Sequence, residues 1–369
     1  MLDVANGVDA AADRIGAAVD AGLGRESKTL SVIPYRGFGT PHLLVVKGRV
    51  LHERGVRPPR AGDGRLRNLI NMYHRFESEE VAGARVGVSA GGVELEATAD
   101  GEGYFEAALR PVAPVPPGPL WQPATVTLLY PLPSDRYQVA GAGQVLVPPE
   151  DAELGVISDV DDTVVRTEAT RLLRMARLVF LSNARTRLPF PGAATLYQAL
   201  HRGRSGRPVN PVFYVSSSPW NLYDLLDDFL ALRGFPAGPL FLRDWGIRPP
   251  EGGVRDHRTH KLATIRRLLD VYPRLPFLLI GDSGQSDPEI YAEVVRDFPG
   301  RVPAVYIRDV SRTPQREAAI AALARAVTGA GSTLLLARDS YAVARDAAAR
   351  GWIAARAPAD VAADSDLRP

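Results

Sequence analysis

Val156–Thr167, VISDVDDTVVRT, decides how the rest of the chain is read. Gly155–Ser158 is a short run of small and apolar residues suited to a buried strand, and Asp159, Asp161, Asp162 and Thr163 follow directly. In an open α/β sheet the C-terminal edge of the strands is where ligands bind. Packed carboxylates repel one another and are costly to desolvate, so a buried strand ending in acids needs compensation. A divalent cation would supply it. Asp-x-Asp-x-Thr in that place suits phosphoryl transfer, with one Asp as nucleophile, the other handling protons and Mg²⁺ between enzyme and phosphate. The competing reading is an acidic turn after a strand.

Downstream, apolar strand runs alternate with helical segments, which predicts a mostly parallel sheet. The expected strands are 155–158, 211–215, 238–242, 276–280, 302–307 and 332–336, and helices are expected over 193–202, 222–232, 261–271 and 290–298. The Arg-rich segment near 166–190 reads as a small helical cap or a surface crossover. From Ala357 the polar C-terminus (357–369) reads as a disordered tail.

Upstream the pattern changes. Residues 28–150 hold short β-branched and aromatic runs separated by Gly, Pro and Asp, the spacing of an antiparallel sandwich or barrel. Arg85–Thr98 reads as a hairpin around Gly91-Gly92. Leu66–Phe76 reads as an inserted helix, and residues 1–27 as an amphipathic N-terminal helix with an acidic polar face. The predicted architecture is therefore α/β: an N-terminal helix, a sandwich-like all-β accessory domain, and a phosphatase-like domain over 151–356.

Composition narrows the function classes. Among 369 residues, 44 Lys+Arg balance 42 Asp+Glu, giving no basic surplus that would support nucleic-acid binding. Cysteine is absent, which excludes disulfides, thiolate nucleophiles and cysteine zinc sites. No apolar run approaches the ~18 residues of a membrane span. The N-terminus lacks a signal-peptide pattern, so a cytoplasmic protein, at most peripheral at a membrane, is expected.

Three further stretches carry chemistry. VFYVSSSPWNLY ends a strand in Ser216, Ser217 and Ser218, a hydroxyl and N–H cradle for phosphate, with Ser218 also a possible helix cap before Pro219. His260-Lys261 reads as the start of a helix that brings an ammonium over the site. LLIGDSGQSDPEIY puts Asp282 and Asp287 just past another buried strand, where two more acids again suit a cation.

The order Asp-Asp-Thr, Ser, Lys, Asp-Asp resembles the four motifs of the haloacid-dehalogenase-like phosphatases. DVDDT, YVSSSPWNLY, FPAGPLFLRDWG, GDSGQSDPEIY and YIRDV together resemble the catalytic domain of the actin-patch-associated phosphatidate phosphatase family, over about residues 153–311. The resemblance implies a haloacid-dehalogenase-like, Rossmann-like sheet and Mg²⁺-dependent hydrolysis of phosphatidate. It implies Asp159 as nucleophile and metal ligand, and Asp161 as general acid and base with its backbone carbonyl on the metal. Ser216 and Lys261 would hold phosphoryl oxygens, Asp282 and Asp287 would complete the metal site, and Thr163 would close the acidic loop. Ser217, Trp220, Asn221 and Arg243 are candidates for substrate contact alone. A sugar phosphate, nucleotide or phosphoprotein as substrate, and a non-catalytic scaffold, are the alternatives. GDSG also occurs around serine-protease nucleophiles, but in an alternating α/β region it lacks that context.

Overall fold

The computed structural model describes residues 29–53, 79–116, 118–132, 138–160, 190–243, 253–311 and 313–366. The expected N-terminal helix, the helix over 66–76, the cap apart from Phe190, and Asp161 and Thr163 lie outside the described residues.

The parallel sheet consists of β10 (Gly155–Asp159), β11 (Val212–Pro219), β12 (Leu240–Arg243), β13 (Phe277–Asp282), β14 (Ala304–Arg308) and β15 (Thr333–Ala337). Their spatial order is β12-β11-β10-β13-β14-β15. The chain thus steps outward from β10 to β12, then returns to the other side of β10 with β13. That reversal opens a crevice at the C-terminal ends of β10 and β13.

These strands are buried on both faces, which is why their sequences are continuous apolar runs and not alternating ones. Val156, Val212, Tyr214 and Leu278 face one core with Leu196, Leu226, Val343 and Val361. Ile157, Phe213, Val215 and Leu279 face the other with Ile265, Leu268, Val294 and Ile320. Helices supply both covers: α1 (Ala193–Arg202), α2 (Tyr223–Leu232), α3 (Gly253–Val271), α4 (Asp287–Asp297), α5 (Pro314–Gly329), α6 (Ser340–Ala349) and α7 (Ala357–Asp366). Side chains cap two of them: the Thr313 hydroxyl accepts from Arg316 N (3.3 Å), and the Asp339 carboxylate accepts from Ala342 N (2.7 Å).

Three expectations require correction. The C-terminal tail is ordered as α7 through Asp366. Val361 is fully buried, Thr195 Oγ1 donates to Asp364 Oδ2 (2.9 Å), and α7 sits so close to Gly192 (φ 70) that a Cβ there would lie 2.8 Å from the Val361 carbonyl oxygen. A few apolar contacts therefore order a segment whose composition reads as solvated. Second, α3 begins at Gly253, so Lys261 lies well inside the helix and not at its first turn. Third, Ser218 does not stand directly before a helix: β11 runs on through Pro219, and a 3₁₀ turn, Trp220–Leu222, leads into α2.

The N-terminal strands are β1 (Thr29–Pro34), β2 (Gly37–Thr40), β3 (Leu43–Glu53), β4 (Glu79–Glu80), β5 (Arg85–Ala90), β6 (Val93–Thr98), β7 (Tyr104–Leu109), β8 (Trp121–Tyr130) and β9 (Ala140–Leu146). They form one hydrogen-bonded network, antiparallel except where β2 pairs with β9. The β5–β6 hairpin turns at Gly91 and Gly92, both with positive φ (59° and 74°), as two-residue turns of this kind require. This sheet has its own apolar core around Leu44, Val46, Val86 and Val126. It also covers the β12 edge of the parallel sheet: Phe38 packs against Phe241 (5.3 Å between ring centroids), and Gly39 N donates to Tyr272 Oη (3.1 Å).

Candidate active site

Asp159 is the last residue of the central strand β10, and Asp282 is the last residue of its neighbour β13. Parallel pairing of Val156–Ser158 with Leu278–Ile280 brings those two strand ends together at the crevice. Asp287 opens α4, where the helix N-terminus favours a carboxylate. Among the described residues, one group of three acidic side chains converges closely enough to share a cation: Asp159, Asp282 and Asp287 each offer an oxygen, all within 4.8 Å of one another. All three are buried, at 1%, 0% and 0% exposure.

Lys261 enters this cluster from α3. Its Nζ lies 2.8 Å from Asp159 Oδ1, 2.7 Å from Asp287 Oδ1 and 3.3 Å from Gln285 Oε1. Burial alone would lower the Lys261 pKa, but the charges of Asp159 and Asp287 outweigh it and hold the ammonium above its ordinary value. The same burial, reinforced by the three carboxylates, pushes the Tyr291 hydroxyl well up, so it stays a donor, and it bonds the Ile280 carbonyl at 3.0 Å.

The loop after β13 is built around its carboxylates. Asp282 Oδ1 accepts from Gly284 N (2.7 Å) and Gln285 N (3.0 Å), and Asp287 Oδ2 accepts from Asp282 N (3.2 Å). Arg316 of α5 staples it from outside, donating from Nε to the Ser283 carbonyl (2.7 Å) and from Nη2 to the Gln285 carbonyl (2.6 Å) while pairing with Glu289. Ser283 Oγ in turn accepts from the N–H groups of Val310 (2.9 Å) and Ser311 (3.1 Å). Arg316 and Ser283 escaped the sequence reading because a structural clamp has no motif of its own.

On the other side of β10, Asp159 is in register with Val215, which places Ser216 one residue beyond. Ser216 is fully buried, and its Oγ accepts from Ser218 N (3.0 Å), which turns the hydroxyl hydrogen away from that bond. Ser217 is also buried. Trp220 and Arg243, expected as substrate contacts, are 5% and 4% exposed. Trp220 packs against the N-terminal sheet, and Arg243 ends β12 opposite Pro219. The side chain of Asn221 is outside the described residues. The structure thus brings together Asp159, Asp282, Asp287 and Lys261, with Ser216 on the adjoining strand.

Buried carboxylates and a lysine gathered where a parallel sheet reverses its strand order define an acidic crevice that could hold a cation, an arrangement suited to phosphoryl transfer. Residues 154–309 match the family described as "Phosphatidate phosphatase APP1, catalytic domain". Phosphatidate phosphatase APP1 of Saccharomyces cerevisiae is 33% identical over 163 residues, covering 43% of this chain and 26% of that protein. An uncharacterized protein of Schizosaccharomyces pombe is 31% identical over 164 residues, covering 42% and 25%. The chain therefore spans about a quarter of the length of the curated relatives it matches. Among solved structures, a carbohydrate acetylesterase from Xanthomonas citri aligns over 77% of this chain and 69% of its own, at 13% identity and a TM-score of 0.26, too low to bear on the fold. Among the described residues no helix is long and apolar enough to cross a membrane.

Proposed function

We propose that this chain is a Mg²⁺-dependent phosphomonoesterase of the haloacid-dehalogenase-like type, working through an aspartyl-phosphate on Asp159, with phosphatidate as substrate. The observation that carries this reading is the convergence of three buried carboxylates at the strand-end crevice, two of them paired with the buried Lys261 ammonium. Three buried carboxylates whose oxygens lie within 4.8 Å of one another are costly to keep together in a low-dielectric site, and a hard divalent cation fits that oxygen donor set. Asp159, Asp282 and Asp287 would hold it. Bound there, Mg²⁺ would neutralise phosphate charge and polarise the phosphoryl oxygens.

The remaining chemistry belongs to the chain. The Asp159 carboxylate attacks phosphorus as the ester oxygen departs, and Asp161 gives that oxygen its proton. Asp161 then takes a proton from water, which attacks phosphorus, releases inorganic phosphate and restores Asp159. Dividing hydrolysis in this way replaces one difficult step by two easier ones. Lys261, fixed between Asp159 and Asp287, supplies positive charge where the phosphoryl oxygens gather, and the Ser216 hydroxyl is placed to donate to them.

Phosphatidate as substrate is supported by the family match and by the name of the yeast relative. The test is phosphate release, with Mg²⁺ and with EDTA, from phosphatidate in mixed micelles, lysophosphatidate, sugar phosphates, nucleotides and a phosphopeptide. Asp159→Asn serves as the blank. Mg²⁺-dependent preference for phosphatidate is expected. Preference for a soluble ester would keep the mechanism and discard the lipid, and no release from any of them would leave a binding protein.

A further inference from the structure

The strand that carries Ser216 is held from outside its own domain. Trp220 directly follows β11, which carries Ser216–Ser218, and its indole faces three residues of the N-terminal sheet. The Tyr35 ring stacks on it (centroids 5.1 Å apart, planes at 13°), the Tyr104 ring lies 6.2 Å away, and Lys47 Nζ sits 4.2 Å from the ring centroid. Tyr223 of α2 completes the stack, 4.1 Å from Tyr35 and 6.0 Å from Trp220, and its hydroxyl accepts from Arg36 N (2.8 Å). Tyr35 and Lys47 are themselves fixed to each other, because Tyr35 N donates to the Lys47 carbonyl (2.8 Å) beside the β1–β3 pairing.

Lys47 is the unusual member. It is half-buried, and among the described residues no carboxylate pairs with it; its ammonium rests on the Trp220 face. A half-buried cation resting on an aromatic face is well placed to raise the local potential for an incoming anion. Arg243 lies opposite Pro219 at the same strand ends, and His260, beside Lys261, feels both Arg243 and Lys47. Basic groups from both domains therefore stand around Pro219 and Trp220, at the end of β11.

We propose that Tyr35 and Lys47 are positioning residues of the phosphatase site, holding Trp220, and through it the Ser216–Ser218 segment of β11, where a phosphomonoester dianion is received. The N-terminal sheet is then part of the catalytic unit and not an independent accessory. This rests on the phosphomonoesterase reading above.

The interface offers its own control. Arg267 of α3 also joins the two domains, pairing with Glu106 (2.5 Å) and lying over the Phe38 ring (5.1 Å), but it does not touch Trp220. The experiment uses the full chain with Mg²⁺ and compares wild type, Lys47→Met, Lys47→Arg, Tyr35→Leu and Arg267→Met. Three quantities are read: p-nitrophenyl phosphate turnover, orthovanadate affinity and the affinity for Mg²⁺. Lys47→Met and Tyr35→Leu are expected to lower kcat and weaken vanadate binding on the order of tenfold, as small misplacements of phosphate-binding groups do. Mg²⁺ affinity should stay unchanged, since neither residue touches the carboxylates. Lys47→Arg, which keeps a cation on the ring, should recover most of the loss, and Arg267→Met should turn over like wild type even if it melts earlier. Wild-type behaviour of Lys47→Met, or an equal loss in Arg267→Met, would overturn the proposal. If wild type binds vanadate without turning over ester, the phosphatase reading fails while the vanadate comparison still decides the positioning role. If wild type binds no vanadate, both fall.

Discussion

Lys261 Nζ and Asp159 Oδ1 stand 2.8 Å apart with their side chains 3% and 0% exposed, so the ion pair at the heart of the site is a buried one. Breaking such a pair is more costly than never having built it, because the surviving charge keeps its desolvation penalty. Lys261→Met should therefore lower unfolding stability by about 3–5 kcal/mol in EDTA. A divalent cation that binds only the folded state stabilises by mass action. With the competing ammonium gone, Mg²⁺ should recover more stability in the variant than it adds to wild type. Urea unfolding of both proteins, with and without Mg²⁺, checks this; equal Mg²⁺ effects would show that Lys261 and the cation do not share the carboxylates.

The parallel sheet was legible because strands buried on both faces leave uninterrupted apolar runs such as Val212–Val215 and Phe277–Ile280; Asp159 and Asp282 end their strands, whereas Ser216, expected at a strand end, lies inside β11, which runs on to Pro219. Polar helices were not legible. The segment 253–260 continues α3 yet reads as a loop, and α7 buries little beyond Ala357 and Val361. Trp220 illustrates a different limit: an aromatic beside a strand end reads the same whether it faces a ligand or a neighbouring sheet, and only the structure supplies Tyr35 as its partner. Lys47 and Arg316 are single basic residues on distant elements. Tertiary folding alone connects them to the site.

Gly281 packs directly against the carboxylate cluster. A Cβ there would lie 2.5 Å from Asp287 Oδ2, 2.7 Å from Asp287 Cβ and 2.8 Å from Tyr291 Cε2. Asp287 cannot yield without weakening its bonds to Lys261 and to Asp282 N. Gly281→Ala should cost about 1–3 kcal/mol of stability through overpacking. It should also weaken Mg²⁺ binding by about 10–100-fold, the usual effect of disturbing groups that orient a metal site. Calorimetric titration with Mg²⁺ measures the second effect. Wild-type affinity would mean that Asp287 does not serve the cation.

Arg316 should prove to be a geometric clamp and not merely a charge. Its guanidinium bonds the carbonyls of Ser283 and Gln285 and the carboxylate of Glu289 at once, using several donors in a fixed fork. A lysine has one ammonium and cannot span them. Arg316→Lys is therefore expected to lose nearly as much turnover as Arg316→Met. The melting temperature should fall modestly in both, since hydrogen bonds to charged groups contribute about 1.5–3 kcal/mol each at most. Steady-state kinetics of the two variants decides the matter: full activity in Arg316→Lys would reduce the residue to a counter-charge.

His260 should make stability depend on pH on the acid side of neutrality. Burial pushes its pKa down to about 4; its backbone hydrogen bond to Phe241 opposes that shift, and the positive charges of Arg243, Lys47 and Lys261 reinforce it. In the unfolded chain the ring titrates near ~6.5. Between these values the unfolded state binds the proton and the folded state does not, so stability is complete above pH ~6.5 and declines as pH falls toward 4. His201, also lowered by burial, contributes with the same sign. Glu289, held down by Arg316 against the opposing effect of burial, adds its loss only at lower pH, below the ordinary carboxylate range. His260→Gln removes one titrating group and keeps a polar side chain. Its denaturation midpoint should therefore change less with pH between 6.5 and 4 than the wild-type midpoint, while the two curves run parallel above pH 7. Parallel curves throughout that acid window would show that His260 is protonated alike in the folded and unfolded states.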